Sequence, residues 1–412
     1  MSKLDELIQK YCPNGVEMVE LGKVCKIQNG FAFKSNEYVD CGIRVIRISD
    51  VQGGYISNKD KKYYPIEFLS SLGCFILQVG ELVMSLTGNP GRVAIITEEH
   101  TPAALNQRVA CLRPKSCVKS RFLFYLFNSD AFASIAYQNS TGGGQKNLST
   151  SWLATYLIPL PPLPVQEEIV RMLDAMSELQ ENLEKELEER RKQYAFYRDK
   201  LLSFNELTTP PSWRIEWKQL GEIGKFYGGL SGKTKEDFTN GNAKFITYMN
   251  VFTHPILQID VEDKVFICEG EKQYTIKYGD VLFTGSSETP DECGMTSVMT
   301  TKTEEDIYLN SFCFGYRFTS LDDICPSFMA HLFRSTNIRK QIVKTANGVT
   351  RFNVSKILCE KISIPLPPLS VQQEIVEKLD KMEELVSNIE SELEERKRQY
   401  EHYREQLFLF AK

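Results

Sequence analysis

The run Gly228-Gly229-Leu230-Ser231-Gly232-Lys233-Thr234 carries the residue types of a phosphate-cradling loop, in which backbone N–H groups and a lysine surround a triphosphate. Its spacing fails: the pattern needs four residues between its two glycines, and the residue at the required place is Tyr227. The paired prolines Pro161-Pro162, Pro210-Pro211 and Pro367-Pro368 lack the polar residue before and the aromatic residue after that mark an amino-methyltransferase. Carboxylates and lysines are abundant, as at Glu262-Asp263-Lys264, yet form no constellation tied to a nuclease scaffold. Among 11 cysteines there is no Cys-x-x-Cys, and the closest pair is Cys111 and Cys117. His100, His254, His331 and His402 are scattered, none at metal-ligand spacing from a cysteine. Such a dispersed set reads as reduced, mostly buried thiols. Together these absences point to a binding module rather than an enzyme.

The elements that position any binding side chains are written in the sequence twice. Ile158-Pro-Leu-Pro-Pro-Leu-Pro-Val-Gln166-Glu-Glu-Ile169 returns as Ile364-Pro-Leu-Pro-Pro-Leu-Ser-Val-Gln372-Gln-Glu-Ile375, a shift of 206 residues. Over 158–204 against 364–410 there are 29 identities in 47 positions. More divergent blocks precede each copy, with looser matches: Leu21-Gly22 and Gly30 to Leu220-Gly221 and Gly229, Val79–Leu82 to Tyr278–Val281, and Leu105-Asn106 to Leu309-Asn310. The organisation is a variable block (1–158), a helical spacer (159–204), a second variable block (205–364) and a second spacer (365–412). In the spacers the prolines hold off helix until Val165, and a run without Gly or Pro follows to Phe204. A heptad seam runs through Leu173, Met176, Leu183, Leu187, Tyr194, Tyr197, Leu201 and Phe204. Its copy runs through Leu379, Met382, Val386, Ile389, Leu393, Tyr400, Tyr403, Leu407 and Phe410. A seam this long wants a partner helix, and the other copy, running antiparallel, is the simplest one. Arg190 and Arg396 interrupt it at equivalent places and are expected to fix its register. Forty helical residues span roughly 60 Å, an upper limit of about 18 base pairs of duplex at about 3.4 Å each.

The variable blocks read as α+β domains. Short apolar runs at 44–48, 92–96 and 280–283 alternate with turn residues, and helical stretches at 121–129 and 326–334 precede glycine-bearing loops at 141–146 and 347–351. The net charge of −5 argues at first against a polyanionic partner. Partitioned, it is +4, −3, −2 and −4 over the successive segments, so most of the acidity lies on the spacers. Within 327–361, Arg334, Arg339, Lys340, Lys344, Arg351, Lys356 and Lys361 face Glu360 alone, an excess able to neutralise phosphates. The charged N-terminus lacks a signal-peptide core, and no apolar run approaches the roughly 20 residues of a membrane helix. A soluble, cytoplasmic protein is expected.

The doubled Ile-Pro-Leu-Pro-Pro-Leu-x-Val-Gln-x-Glu-Ile entering a helix resembles the specificity subunits of Type I restriction-modification systems, and the resemblance covers essentially the whole chain. Leu105-Asn106-Gln107 and Gly143-Gly144-Gln145 support it. Leu309-Asn310-Ser311 and Asn347-Gly348-Val349 depart from it in part. The opening at Leu4–Pro13 is similar to Leu201–Pro211, which implies a pseudo-twofold repeat. The resemblance implies two target recognition domains, each reading half of a split sequence in double-stranded DNA. It further implies helices that set the gap and bind two methyltransferase subunits, which hold S-adenosylmethionine, and translocase-nuclease subunits for defence against phage. This chain would be non-catalytic and hold no cofactor or metal. Arginine suits guanine and Asn/Gln suit adenine, so the expected DNA contacts of the first domain are Lys34, Arg44, Arg47, Asn89, Arg92, Gln107, Gln145 and Lys146. Those of the second are Ser231, Lys233, Tyr248, Asn250, Ser286, Thr350, Arg351 and Asn353. Two other classes are distinguishable: a coiled-coil adaptor would bind partners without DNA or salt dependence, and an enzyme would turn over in isolation.

Overall fold

The computed structural model describes residues 3–142, 146–204, 210 and 213–408. The chain divides into two compact units, Met1–Glu184 with Ser391–Lys412, and Lys185–Glu390. Each unit thus holds one head, the opening half of one long helix and the closing half of the other.

In the first unit a four-stranded antiparallel sheet has the order Cys25–Asn29, Val109–Pro114, Leu82–Ser85, Val93–Ile95. Its central strand Leu82–Ser85 is buried throughout, and its side chains alternate between two cores. Leu82 and Met84 pack with Phe122, Leu123, Leu126 and Phe132 of the helices Ser120–Phe127 and Asp130–Gln138. Val83 packs with Ile46, Ala103 and Leu105. These belong to a second sheet ordered Tyr63–Tyr64, Ile43–Ile46, Ala103–Leu105, Ile76–Leu77, whose central pair is parallel.

The second unit repeats this plan. Gly224–Gly228, Cys313–Phe318, Val281–Thr284 and Thr296–Val298 form the antiparallel sheet, in that order. Val281 and Phe283 face Phe328, Leu332 and Phe333 of the helix Pro326–Arg334, while Leu282 faces Ile246 and Leu309. Strand Ala243–Ile246 again pairs in parallel, here with Tyr308–Leu309. The loosely matched glycines have a common cause: a Cβ on Gly30 would lie 2.1 Å from the Asn106 carbonyl oxygen, and one on Gly229 would lie 2.1 Å from that of Asn310.

The proline-rich motif is the joint between head and helix. Leu157–Pro159 pairs antiparallel with Met18–Glu20, and Ser363–Leu366 with Glu216–Gln219, burying Ile158 and Ile364. The long helices then run over Leu163–Leu201 and Leu369–Gln406. The first begins before Val165, earlier than expected, because proline is tolerated in a first turn whose N–H groups have no helical partner. The motif glutamines are wholly buried. Gln166 accepts from Lys119 N at 3.0 Å and donates to the carbonyls of Cys117 and Pro161 at 3.1 and 2.7 Å. Gln372 accepts from Cys325 N at 2.9 Å and donates to those of Asp323 and Pro367 at 2.8 and 2.7 Å. One side-chain amide therefore satisfies three backbone groups at each joint.

Val165, Ile169 and Leu173 enter the first core, where Leu407 is buried and Tyr400 and Phe408 pack alongside. Gln180 donates to the Arg396 carbonyl at 3.0 Å and Glu184 pairs with Lys397 at 2.7 Å. Val165, Ile169 and Leu173 lie with Tyr400 and Leu407 while the later Gln180 meets the earlier Arg396, so the segments are antiparallel. The second unit shows the same sense: Arg191 pairs with Glu390 at 2.6 Å, and Leu201 and Leu202 share a core with Val371, Ile375 and Leu379. Leu183, Leu187, Ile389 and Leu393 are buried, and Met176, Tyr194, Tyr197, Leu201, Met382 and Tyr400 are half-buried. Tyr403 departs from the expected seam and is 42% exposed. A straight helix drifts about 20° per heptad from a strict repeat, and near that end Leu407 takes the inward position. Phe410 lies outside the described residues. Arg190 and Arg396 do not fix the register either. Each bonds within its own helix, Arg190 to Glu186 and Gln193, and Arg396 to Glu392 and Gln399. No described helix is long and apolar enough to cross a membrane.

Candidate nucleic-acid interface

Two adjacent loops lie side by side in each head, one joining two strands of the antiparallel sheet and the other following the head's helices. In the second head one loop covers 285–294, between Thr284 and Met295, which are joined by a backbone bond of 2.8 Å. Beside it, Ala346–Asn347 and Phe352–Val354 form a hairpin, turned at Gly348 with φ +146°. Ser286 and Ser287 pair with Asn353 and Phe352, tying the loops together. Between them and the helix Tyr248–Thr253 lies an open groove of about 760 Å³, lined by Tyr248, Met249, Phe252, Ser286, Ser287, Glu288, Glu292, Phe312, Thr350 and Arg351.

Arg351 Nε donates to Ser286 Oγ at 3.1 Å, and its guanidinium stands 6.0 Å from the Phe312 ring centre. Among the described residues its two terminal nitrogens carry no bond, leaving a planar fork free for an acceptor pair. The Tyr248 hydroxyl donates to the Ser286 carbonyl at 2.8 Å, and its ring stacks on Phe252. Met249 and Phe312 are each 60% exposed beside these polar groups. Asn353 is exposed on the hairpin, its amide 3.5 Å from the Arg351 carbonyl. A fork, carboxylates and apolar faces in one groove can contact base edges and phosphates.

Of the residues expected to contact DNA here, Tyr248, Ser286, Thr350, Arg351 and Asn353 come together, and three do not. Lys233 has a side chain only 7% exposed, paired with Glu271 and donating to the Phe266 carbonyl, both at 2.6 Å. That pairing holds the Glu271 carboxyl down at about 2. Asn250 is buried, its amide bonded to the backbone of Gln258. Ser231 is exposed, but Gln273 brackets its backbone N–H and carbonyl away from the groove. The expected basic surface is also smaller. Arg334 donates to the carbonyls of Thr296, Val251 and Phe252, and burial pushes its guanidinium down to about 10. Arg339 donates to those of Asp291, Cys293 and Gly294. Lys340, Lys344, Arg351, Lys356 and Lys361 remain exposed.

The first head has the same pair of loops, 86–91 between Ser85 and Arg92, and 141–147 closed by mutual backbone bonds of 3.0 and 2.8 Å between Thr141 and Asn147. Gly88 N bonds to the Lys146 carbonyl at 3.1 Å, which sets the loop that carries Asn89 beside the one that carries Lys146. Asn89 and Arg92 are exposed, Arg92 reaching Gln52 at 2.7 Å, and Lys146 lies 5.0 Å over the exposed Tyr137 ring. Gln107 is exposed on the neighbouring turn, and Lys34 is exposed and paired with Glu37 at 3.1 Å. Gln145 lies outside the described residues. Arg44 and Arg47 are corrections. Arg44 is 3% exposed and donates to the Ser57 carbonyl, and Arg47 is held by Asp50 and Asp60 at 3.1 and 3.2 Å. Both belong to or follow the strand Ile43–Ile46, which is buried along its whole length. Sequence reading missed Met249, Phe312, Glu288 and Glu292. A difference in loop length between matched anchors was the signal that could have found the last two.

The family model described as "Type I restriction modification DNA specificity domain" matches residues 13–190 and again 214–396. The EcoR124I/EcoR124II specificity subunit of Escherichia coli is 32% identical over 288 residues, 63% of this chain and 66% of that protein. A putative Type I specificity subunit of Haemophilus influenzae is 28% identical over 324 residues, 74% of this chain and 76% of that protein. The chain spans 43% of the MjaVIII specificity subunit of Methanocaldococcus jannaschii, at 30% identity over 182 residues and 43% of this chain. In fold it is similar to the HsdS subunit from Thermoanaerobacter tengcongensis, with a TM-score of 0.53, 18% identity and coverage of 97% of this chain and 98% of that one. The S subunit from M. genitalium gives a TM-score of 0.53 at 15% identity, covering 96% and 97%. Carrying that domain twice over most of its length, the chain belongs to the Type I restriction-modification specificity subunit family.

Proposed function

We propose that this chain is the non-catalytic, sequence-reading subunit of a Type I restriction-modification complex, and that each head reads one half of a split target in double-stranded DNA. The carrying observation is that both heads set two corresponding loops side by side and furnish them differently. Asn89 and Lys146 stand on one pair, with Arg92 at an anchor, and Ser286, Glu288 and Arg351 on the other. Cations in these loops position the duplex through phosphates, and other polar side chains read base edges. The long helices, 39 and 38 residues, set the gap between half-sites. They also offer docking surfaces to two methyltransferase subunits, which bring S-adenosylmethionine and methylate adenine, and translocase-nuclease subunits complete the cytoplasmic assembly.

Methylation-aware sequencing of genomic DNA from cells with and without the gene tests this. Loss of one two-part adenine-methylated motif on deletion is expected. An unchanged methylome would refute it.

A further inference from the structure

We infer that the loop 285–294 sets the base preference of the second head, with Glu288 as its reader, while the neighbouring hairpin clamps the DNA backbone in both heads alike. This rests on the reading of the heads as DNA-recognition domains and deepens it. The duplication supplies an internal comparison, because the two heads differ where they must tell half-sites apart and agree where they meet features that both half-sites share.

The hairpins agree. Thr141–Asn147 and Asn347–Asn353 have equal length at the 206-residue offset, each with a second-position glycine in the left-handed region, at φ +108° and +146°. Each ends on an asparagine and runs into a serine that caps a short helix, Ser149 and Ser355. Each also carries a cation near its end, Lys146 in one and Arg351 in the other. An element common to two different half-sites serves what every duplex offers, its phosphates.

The other loop differs between anchors that correspond. Ser85 N bonds to the Arg92 carbonyl at 2.9 Å, and Thr284 N to that of Met295 at 2.8 Å. Between them the first head places Leu86-Thr-Gly-Asn-Pro-Gly91 and the second Gly285-Ser-Ser-Glu-Thr-Pro-Asp-Glu-Cys-Gly294, four residues longer and with three carboxylates. The longer loop is braced. Arg339 holds the carbonyls of Asp291 and Cys293 at 2.9 and 2.7 Å, Thr289 donates to Glu292 at 2.6 Å, and Cys293 Sγ donates to the Phe352 carbonyl at 3.2 Å. A braced loop loses little conformational freedom on binding.

Phosphates repel carboxylates, so an acidic side chain beside Arg351 in this groove is useful only towards a donor on a base edge. Glu292 is engaged by Thr289. Glu288 is exposed, lines the groove and has no hydrogen bond or ion pair among the described residues. Its carboxylate is suited to accept from an exocyclic amine in the major groove, that of cytosine above all.

The test uses the whole complex in cells that lack the chromosomal copy, comparing the wild-type chain, Glu288→Ala and Arg351→Ala by methylome sequencing. The wild-type motif should hold a cytosine, or an adenine if that amine is the one read, at a position of the second half-site. Glu288→Ala should relax that position alone, narrowing discrimination by about tenfold or more. Arg351→Ala should lower the methylated fraction at all target sites without altering the motif. An unchanged motif in Glu288→Ala, or a base relaxed by Arg351→Ala, overturns the assignment. Should deletion of the wild-type gene remove no motif, the DNA-recognition reading itself falls, and the loop assignment with it. Glu288 is exposed, so its truncation leaves the core intact.

Discussion

Replacing Gln372 with methionine keeps the length and apolar stem of the side chain and removes its amide. The Cys325 N–H then loses its acceptor, and the carbonyls of Asp323 and Pro367 lose a donor, at a position with no solvent exposure. Each net hydrogen bond contributes about 1 kcal/mol, and an orphaned buried donor costs at least that, so the joint should weaken by about 3 kcal/mol. At about 1.4 kcal/mol per decade, its opening equilibrium rises roughly a hundredfold. The two units need not unfold together, so one global melting curve is the wrong measure. Hydrogen exchange resolved by peptide on the full chain is the right one. Peptides covering 320–328 and 363–376 should exchange about a hundredfold faster, with those of the first head unchanged. Gln166→Met should mirror this at 115–121 and 157–170, where Lys119, Cys117 and Pro161 lose the same bonds. Equal protection in wild type and variant would refute the latch. Loosening of both heads by one substitution would refute the independence of the joints.

Gly229→Ala should cost about 2–3 kcal/mol through overpacking, because the new Cβ would meet the Asn310 carbonyl oxygen at 2.1 Å and that of Cys313 at 2.9 Å. Loss of methylation at the motif, together with faster exchange confined to the second head, would show it, and normal protection there would contradict it. Glu168, held down to about 2 first by Arg171 and then by Lys3, has its carboxyl depressed below the ordinary value of 4.5. Its stabilising effect is therefore complete above pH 4.5 and disappears as pH falls towards 2. Glu168→Gln should flatten that part of an acid titration followed by near-UV circular dichroism, and an unaltered curve would argue against the pairing. Burial pushes the Cys25 and Cys313 thiols up to about 12 and Cys359 to about 11, whereas Cys41, Cys74, Cys117 and Cys268 are exposed. Alkylation at pH 8, mapped by mass spectrometry, should label the exposed four first, and early labelling of Cys313 would count against the packing described.

Much of the fold was legible because its signals are local or repeated. The strand at 93–95 falls within its apolar run, those at 43–46 and 281–284 overlap theirs, and the helices at 120–127 and 326–334 fall close to their expected places. The doubled motif disclosed both long helices because proline and heptad spacing act through neighbouring residues. The groove was legible in part for the same reason: Thr350 and Arg351 follow a glycine turn, and Ser286 follows a buried strand. Arg44, Arg47, Lys233 and Asn250 misled because a side-chain type does not disclose its partners. The Ser57 carbonyl, Asp60, Glu271 and Gln258 meet them from other segments of the fold, and Asp50 meets Arg47 from three residues on. Burial along the whole of Ile43–Ile46 also removes the polar alternation that would have shown Arg44 facing inward. Exposed Met249 and Phe312 had no sequence signal, since apolar residues are expected in cores.

The repeat holds most tightly where head meets helix, even where residue types have changed. Tyr125 and His331 stand 206 positions apart, as do Asp174 and Asp380. In the first unit the Tyr125 hydroxyl donates to Asp174 at 2.5 Å, and Arg121 joins it at 2.7 Å. In the second, His331 Nε2 bonds Asp380 at 2.7 Å while Nδ1 faces the Tyr194 hydroxyl at 3.2 Å. A phenol and an imidazole thus fill one role, a buried polar group fastening a head helix to the carboxylate of a long helix. The loops 86–91 and 285–294, by contrast, differ in length, charge and side chains. Since loop 285–294 is closed at Thr284 and Met295, a change in its exposed residues leaves the polar bond on Pro326–Arg334 untouched. Distant sites without shared partners are expected to be additive. Such a chain can change what it reads without changing how it is held, and double variants joining Glu288→Ala with Gln166→Met should show the sum of their separate effects.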